Sequence, residues 1–181
     1  MTSPFITGKK IYFRGILPED LPQISRWMSD PEVTHFLFMG DRPANLKLIQ
    51  EQYDRDQRAA DEVSIAVVDK KSDRIIGWGG LYRINWISRT AEYRVFIGDK
   101  KYWNKGFGTE IARLLVGYGF DKLNLNKVWL GVNADHLGAF HSYKKAGFVQ
   151  EGVLRQEIYR NGKYYDAVRM SILKKEYEKT Q

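Results

Sequence analysis

The sequence contains no cysteine, which excludes disulfide scaffolds, thiol nucleophiles and thiolate metal sites together. The same absence suits a reducing compartment, so the expected location is the cytoplasm. Histidine is nearly as scarce. His35, His136 and His141 are too few and too scattered for most metal sites, and no metal is expected. No stretch approaches the roughly 18 uninterrupted apolar residues of a membrane helix, so no membrane partner is expected. Met1 to Arg14 lacks a secretory apolar run, because Lys9, Lys10 and Arg14 interrupt it. Internal repeats, low-complexity tracts and Ser/Pro linkers are also missing, and one compact domain over residues 1–181 is the expected organisation.

What is present is core material. Of 181 residues, 43% are hydrophobic and 14% aromatic, enough to pack one interior. Lys and Arg number 29 against 22 Asp and Glu, a net charge of +7 that favours an anionic partner. The basic residues form no dense block. Lys100-Lys101 with Lys105, Lys144-Lys145 and Lys174-Lys175 are the main clusters, so a nucleic-acid partner is not expected.

Periodicity gives the element order β-α-α-β-β-β-α-β-α-β-β. Lys10 to Leu17 reads as a first strand, and Pro18-Glu19-Asp20 opens a helix with Leu21, Ile24 and Met28 on one face. Asp30-Pro31 reads as its end. His35 to Met39 is an apolar, loop-like segment, and Asn45 to Asp56 a charged second helix. Strands follow over Val63–Val68, Ile75–Asn85, thinned by Gly77, Gly79 and Gly80, and Thr90–Ile97. Gly106–Leu123 is helical, and Lys127–Val132 is an apolar strand expected to be buried on both faces. His136–Ala146 is a helix closed by Gly147, and an Asn161-Gly162 turn joins two final strands, Phe148–Tyr159 and Lys163–Leu173. The pattern predicts an α/β fold: a mixed sheet with helices on its faces.

The chemistry concentrates where a strand runs through a basic loop into Gly106-x-Gly108 at a helix start. Glycines there leave backbone N–H groups unobstructed and the helix dipole adds positive charge, which suits a pyrophosphate. The pattern is neither G-x-G-x-x-G nor G-x-x-x-x-G-K-[ST], so dinucleotide-fold and P-loop readings fail on the residues.

Trp103-Asn-Lys-Gly-Phe-Gly-Thr109 resembles the acetyl-coenzyme A motif of the GNAT N-acetyltransferases, Gln/Arg/Gly-x-x-Gly-x-Gly/Ala, with Trp103 or Asn104 in the place of the usual first residue. His136-Leu-Gly-Ala-Phe-His-Ser-Tyr143-Lys-Lys-Ala-Gly147-Phe148 resembles that family's Asn-x-x-Ala-x-x-x-Tyr-x-x-x-Gly-Phe, with His136 where Asn is typical. The stretch from Glu151 to Met170 is similar to the closing hairpin of the branch containing ribosomal-protein and spermidine acetyltransferases. The likeness runs from about residue 10 to 177.

The resemblance implies a mostly antiparallel twisted sheet with helices on both faces and splayed central strands. It implies acetyl-CoA as co-substrate, held by Val95, Phe96, Ile97, Trp103, Asn104, Lys105, Gly106, Phe107, Gly108, Thr109, His136 and Phe140. Tyr143 matches the general acid, and Glu92 is the candidate base or orienter of the amine. With no cysteine to carry an acyl group, direct attack in a ternary complex is expected. The acceptor is a small-molecule or peptide amine. The positive charge leans towards an amino-sugar nucleotide, with Trp78, Tyr82, Arg83, Asn85, Trp86, Arg89 and Tyr159 as candidate contacts. A polyamine, drawing on Asp30, Glu32, Asp41, Glu51, Asp54 and Asp56, a protein N-terminus and a non-catalytic acetyl-CoA-binding module are the alternatives. Oligomeric state is not readable from the residues, although homodimers are common among similar proteins.

Overall fold

In a computed structural model, which describes residues 3–38 and 44–180, eight strands form one open sheet. They are β1 (Ile6–Thr7), β2 (Ile11–Arg14), β3 (Val63–Asp69), β4 (Arg74–Asn85), β5 (Thr90–Ile97), β6 (Lys127–Asn133), β7 (Val149–Arg160) and β8 (Lys163–Leu173). Their spatial order is 1-2-3-4-5-6-8-7, and every adjacent pair is antiparallel except β5 with β6.

Side chains alternate across the central strands, so β3, β4 and β5 feed two cores. Ile65, Val67, Ile76, Leu81 and Tyr93 face α4 (Phe107–Asp121) and α5 (Leu137–Ala146). Ala66 and Trp78, with Phe96 against them, face α1 (Leu21–Met28) and α3 (Leu46–Asp56). A short α6 (Lys174–Tyr177) follows β8. Helices therefore cover both faces, and the mixed α/β fold read from the sequence is the one observed.

Three local readings change. The first strand is shorter than Lys10–Leu17, and the chain doubles back through β1, whose Ile6 pairs with Phe13. Asp30 does not simply stop α1. Its side chain accepts from the Glu32 and Val33 amides and starts α2 (Pro31–Thr34). β6 is buried on one face only: Val128, Leu130 and Val132 enter the core, while Trp129 stays half-exposed beneath the Arg169 guanidinium, 4.0 Å from its ring.

The feature that positions a site is the β5–β6 junction. Their parallel pairing covers Thr90↔Lys127, Ala91↔Val128 and Glu92↔Trp129 and then stops. β6 continues along β8, with Leu130 opposite Met170 and Asn133 opposite Ala167, while β5 continues along β4 as far as Ile97. The two strands splay into a V, and its apex lies at Tyr93.

Candidate active site

The β4 side of β5 is fully paired, and Gly98 N donates to Ile76 O at 2.9 Å on that side. Alternation along the strand therefore directs the amides of Tyr93, Val95 and Ile97 into the V and gives that of Phe96 to β4. The Phe96 backbone thus serves the sheet, and Val95 and Ile97 supply the exposed donors. Trp103 Nε1 fixes the far end of this edge by donating to Ile97 O at 2.7 Å.

Below the V, α4 starts on Gly106 at φ +79°, and Asn104 is also left-handed at φ 56°. Two left-handed residues around Lys105 bend the loop so that amides at the helix start converge on one concavity, where the helix dipole adds positive charge. Glycine inside a first turn is unfavourable by about 1 kcal/mol relative to Ala, so Gly108 needs a reason. A Cβ built on it meets nothing nearer than Ser142 Oγ at 3.9 Å. Packing within the chain does not demand glycine there; a ligand lying on the helix backbone does. The loop fits the pyrophosphate of coenzyme A. Thr109 Oγ1 donates to Ser142 O at 3.4 Å and seats the loop against α5. Phe107 turns its ring edge-on to Tyr102 at 5.0 Å and leaves its backbone to the loop. Lys10, which sequence reasoning passed over, donates from Nζ to Lys105 O at 2.7 Å and brings a further cation to the helix start.

The second wall of the V is α5. His136 caps it without a side-chain bond and stacks on Phe36 at 4.2 Å. Burial, and then the neighbouring His35, pushes the His136 pKa below the ordinary imidazole value, so the ring is neutral at pH 7. Phe140 packs part-buried against the main core with Lys144 Nζ over its ring at 5.7 Å. One turn on, Tyr143 lies edge-on to Tyr93 at 5.7 Å and against Phe148 at 5.9 Å. Burial pushes its phenol up to about 12, so it carries its proton at neutral pH.

Glu92 sits on the opposite face, at the last paired position of β5. Its Oε2 accepts from Arg94 Nη2 at 2.6 Å and lies 3.4 Å from Arg83 Nη1. Arg83 reaches it from a bulge in β4, where φ is 50° and the register to β5 shifts. Beyond Arg94 lie Asp56, Asp61 and Glu62. Burial raises the Asp56 pKa against a hydrogen bond from Ser64, and raises that of Glu62 with Asp56 and Asp61 adding to it. Among the described residues none of these three carboxylates forms an ion pair.

The raised pKa has a consequence for stability. A carboxyl whose folded pKa exceeds its unfolded one favours the fold only at low pH, and that contribution disappears as pH rises through the folded value. Asp56→Asn is therefore expected to raise the thermal midpoint at pH 7 by about 2–4 °C, the shift that about 1 kcal/mol produces in a chain of this size. Calorimetry at pH 7 and again below the carboxylate range checks it; the gain vanishes at the lower pH.

The other proposed acceptor contacts do not converge. Trp78 is 5% exposed inside the α1–α3 core, and Tyr82 is 6% exposed with its hydroxyl bonded to Ser64. Asn85 Oδ1 accepts from the Ile87 and Ser88 amides, and Arg89 O accepts from the Asn126 and Lys127 amides, so both serve the turn. Trp86 and Tyr159 are exposed, but one lies before β5 begins and the other at the β7–β8 tip, at opposite ends of the sheet. Of the acidic candidates, Asp30 and Glu32 are held by Lys100 at 3.0 and 2.5 Å, and Asp41 lies outside the described residues. A cavity of about 550 Å3 opens elsewhere, beside Arg14 and Trp27. Its carboxylates at this end are already engaged: Asp20 binds Arg14 at 2.6 and 2.9 Å, and Asp73 accepts from Tyr12.

A V between parallel central strands, set over a glycine-capped helix start with a protonated phenol on its α5 wall, defines a coenzyme A-dependent acyltransferase. The acetyltransferase (GNAT) domain model matches residues 10–149. The chain belongs to the GNAT family and is an N-acetyltransferase. It is 32% identical over 171 residues to a spermidine N(1)-acetyltransferase of Escherichia coli K12, covering 94% of this chain and 90% of that one. It is 27% identical to a putative ribosomal N-acetyltransferase of Bacillus subtilis, over 94% and 95% of the two chains. Among solved structures, a spermidine N-acetyltransferase from Vibrio cholerae in complex with CoA and spermine superposes with a TM-score of 0.87 at 30% identity, covering 94% of this chain and 99% of that one. Among the described residues no helix is long and apolar enough to cross a membrane, and no group of metal-ligating side chains occurs.

Proposed function

We propose that this chain moves an acetyl group from acetyl-CoA to a primary amine of a polyamine-class acceptor, by direct attack within a ternary complex. Acetyl-CoA supplies the activated acyl group when bound. The amides at the start of α4 hold its diphosphate, and the Val95 and Ile97 amides line the V where the thioester lies. A backbone donor aimed at the carbonyl oxygen lowers the barrier by about 3–4 kcal/mol as negative charge develops there. Tyr143 gives its proton to the departing sulfur. Glu92 receives the ammonium group of the acceptor and takes its proton through Oε1, the oxygen its arginine partners leave free. The two guanidiniums hold the carboxylate in place.

The observation that carries the acceptor class is the pair Asp61 and Glu62, which form no ion pair among the described residues and lie near Arg94 with Asp56 buried on Ser64 beside them; the two accessible carboxylates suit a further ammonium group on one extended cation. Similarity to spermidine acetyltransferases supports the same reading. It replaces the amino-sugar nucleotide favoured by net charge alone, whose aromatic contacts lie at opposite ends of the sheet. The test is thiol release from acetyl-CoA with spermidine, spermine, an amino-sugar nucleotide and a short peptide as acceptors. Turnover with the polyamines and not the others is expected; preferred turnover of the nucleotide would reverse the assignment.

Glu92→Gln is expected to lower kcat by about 10²-fold and to remove the acid limb of the kcat/KM profile. A rate loss with the acid limb unchanged would make Glu92 a positioning residue.

A further inference from the structure

Tyr93 is the first residue of β5 beyond the last β5–β6 pair, so its backbone marks the apex of the V while its ring packs in the core against Tyr143 of α5. It is 3% exposed, and its neighbours are apolar or aromatic: Tyr143 at 5.7 Å and Phe148 at 5.9 Å between ring centroids. A phenylalanine would fill such a slot with no polar atom to satisfy. Among the described residues the Tyr93 hydroxyl has no hydrogen-bond partner, nor is it fully enclosed, so the small accessible part of the residue includes that oxygen. The Tyr143 ring stands edge-on to that of Tyr93. The Tyr143 hydroxyl is likewise without a partner among the described residues. Two phenols thus stand in one aromatic cluster with no hydrogen-bond partner for either hydroxyl among the described residues.

We propose that Tyr93 is a positioning residue for the transfer: its hydroxyl donates a hydrogen bond to the Tyr143 oxygen as that oxygen loses its proton to the leaving sulfur. The inference rests on Tyr143 as the acid. In proton terms, Tyr143 O–H breaks, the thiol S–H forms, and the negative charge left on the Tyr143 oxygen is met by Tyr93 O–H. Tyr143 regains a proton from solvent before the next turnover. Burial raises both phenols, and Tyr143 adds to the rise at Tyr93, so Tyr93 keeps the proton it needs to donate. The same burial makes an unsolvated tyrosinate unfavourable, which is the reason a donor at this point helps.

Tyr93→Phe removes one oxygen and leaves the ring packing in place. It is expected to lower kcat by about tenfold, the effect of one hydrogen bond to a charged group, with KM for both substrates and the thermal midpoint unchanged. Tyr93→Phe/Tyr143→Phe is expected to be no slower than Tyr143→Phe alone, because Tyr93 acts through Tyr143. Wild-type kcat in Tyr93→Phe, or defects that multiply in the double variant, would overturn the inference and leave the acid assignment standing. Wild-type kcat in Tyr143→Phe would remove both together.

Discussion

Tyr143→Phe is expected to lower kcat by about 10²–10⁴-fold while the affinity for acetyl-CoA stays within about twofold of the wild type. Proton donation to the leaving thiolate acts only as the carbon–sulfur bond breaks, so its loss appears in kcat and not in ground-state binding. The phenol is well placed for this. Burial pushes it up to about 12, so the whole population is protonated at neutral pH, and its ring is held by Tyr93 and Phe148. Steady-state kinetics with a direct binding titration separates the two quantities. Lost binding with lost turnover would make Tyr143 a wall of the groove.

Gly108→Leu is expected to weaken acetyl-CoA binding by about 10²-fold or more, the loss of one or two charge-assisted hydrogen bonds to the diphosphate. The fold should not suffer. The space over Gly108 is open, with Ser142 Oγ the nearest atom to a built Cβ at 3.9 Å, and Leu is a better helix former than Gly. The variant should therefore melt at or above the wild-type temperature while losing ligand. Gly106 is a poorer choice for this test, because φ +79° strains any larger residue there whether or not a ligand binds. Titration of Gly108→Leu with acetyl-CoA, beside its melting curve, gives the answer.

Much of the fold was legible because it rests on short-range patterns. β5 and β8 match their expected bounds, each set off at its start by a turn, Ser88-Arg89 and Asn161-Gly162. Gly147 closes α5 at φ +104°, the left-handed cap expected of it. The loop around Gly106 was visible through residue type alone. What stayed hidden depends on register. β6 reads as an apolar run, and nothing local reveals that Trp129 faces outward while Leu130 turns inward. The role given to Tyr93 follows from the point at which β6 leaves β5, a tertiary event with no sequence signature. The unpaired carboxylates come from the end of α3 and the approach to β3, so their meeting appears only after folding. Arg83 reaches Glu92 through a left-handed bulge, and an arginine gives no sign of that conformation in advance. The aromatic residues Trp78 and Tyr82 illustrate the converse: both suggested a stacking surface, and both are core.

The most direct measurement of the central proposition is amide hydrogen exchange with and without acetyl-CoA. If the V and the helix start grip the co-substrate, slowed exchange should appear together at Val95, Ile97 and the amides from Gly106 to Thr109, with Phe96 already slow in the free protein. Protection confined to other segments, or none at saturating ligand, would contradict the placement of acetyl-CoA between β5 and β6.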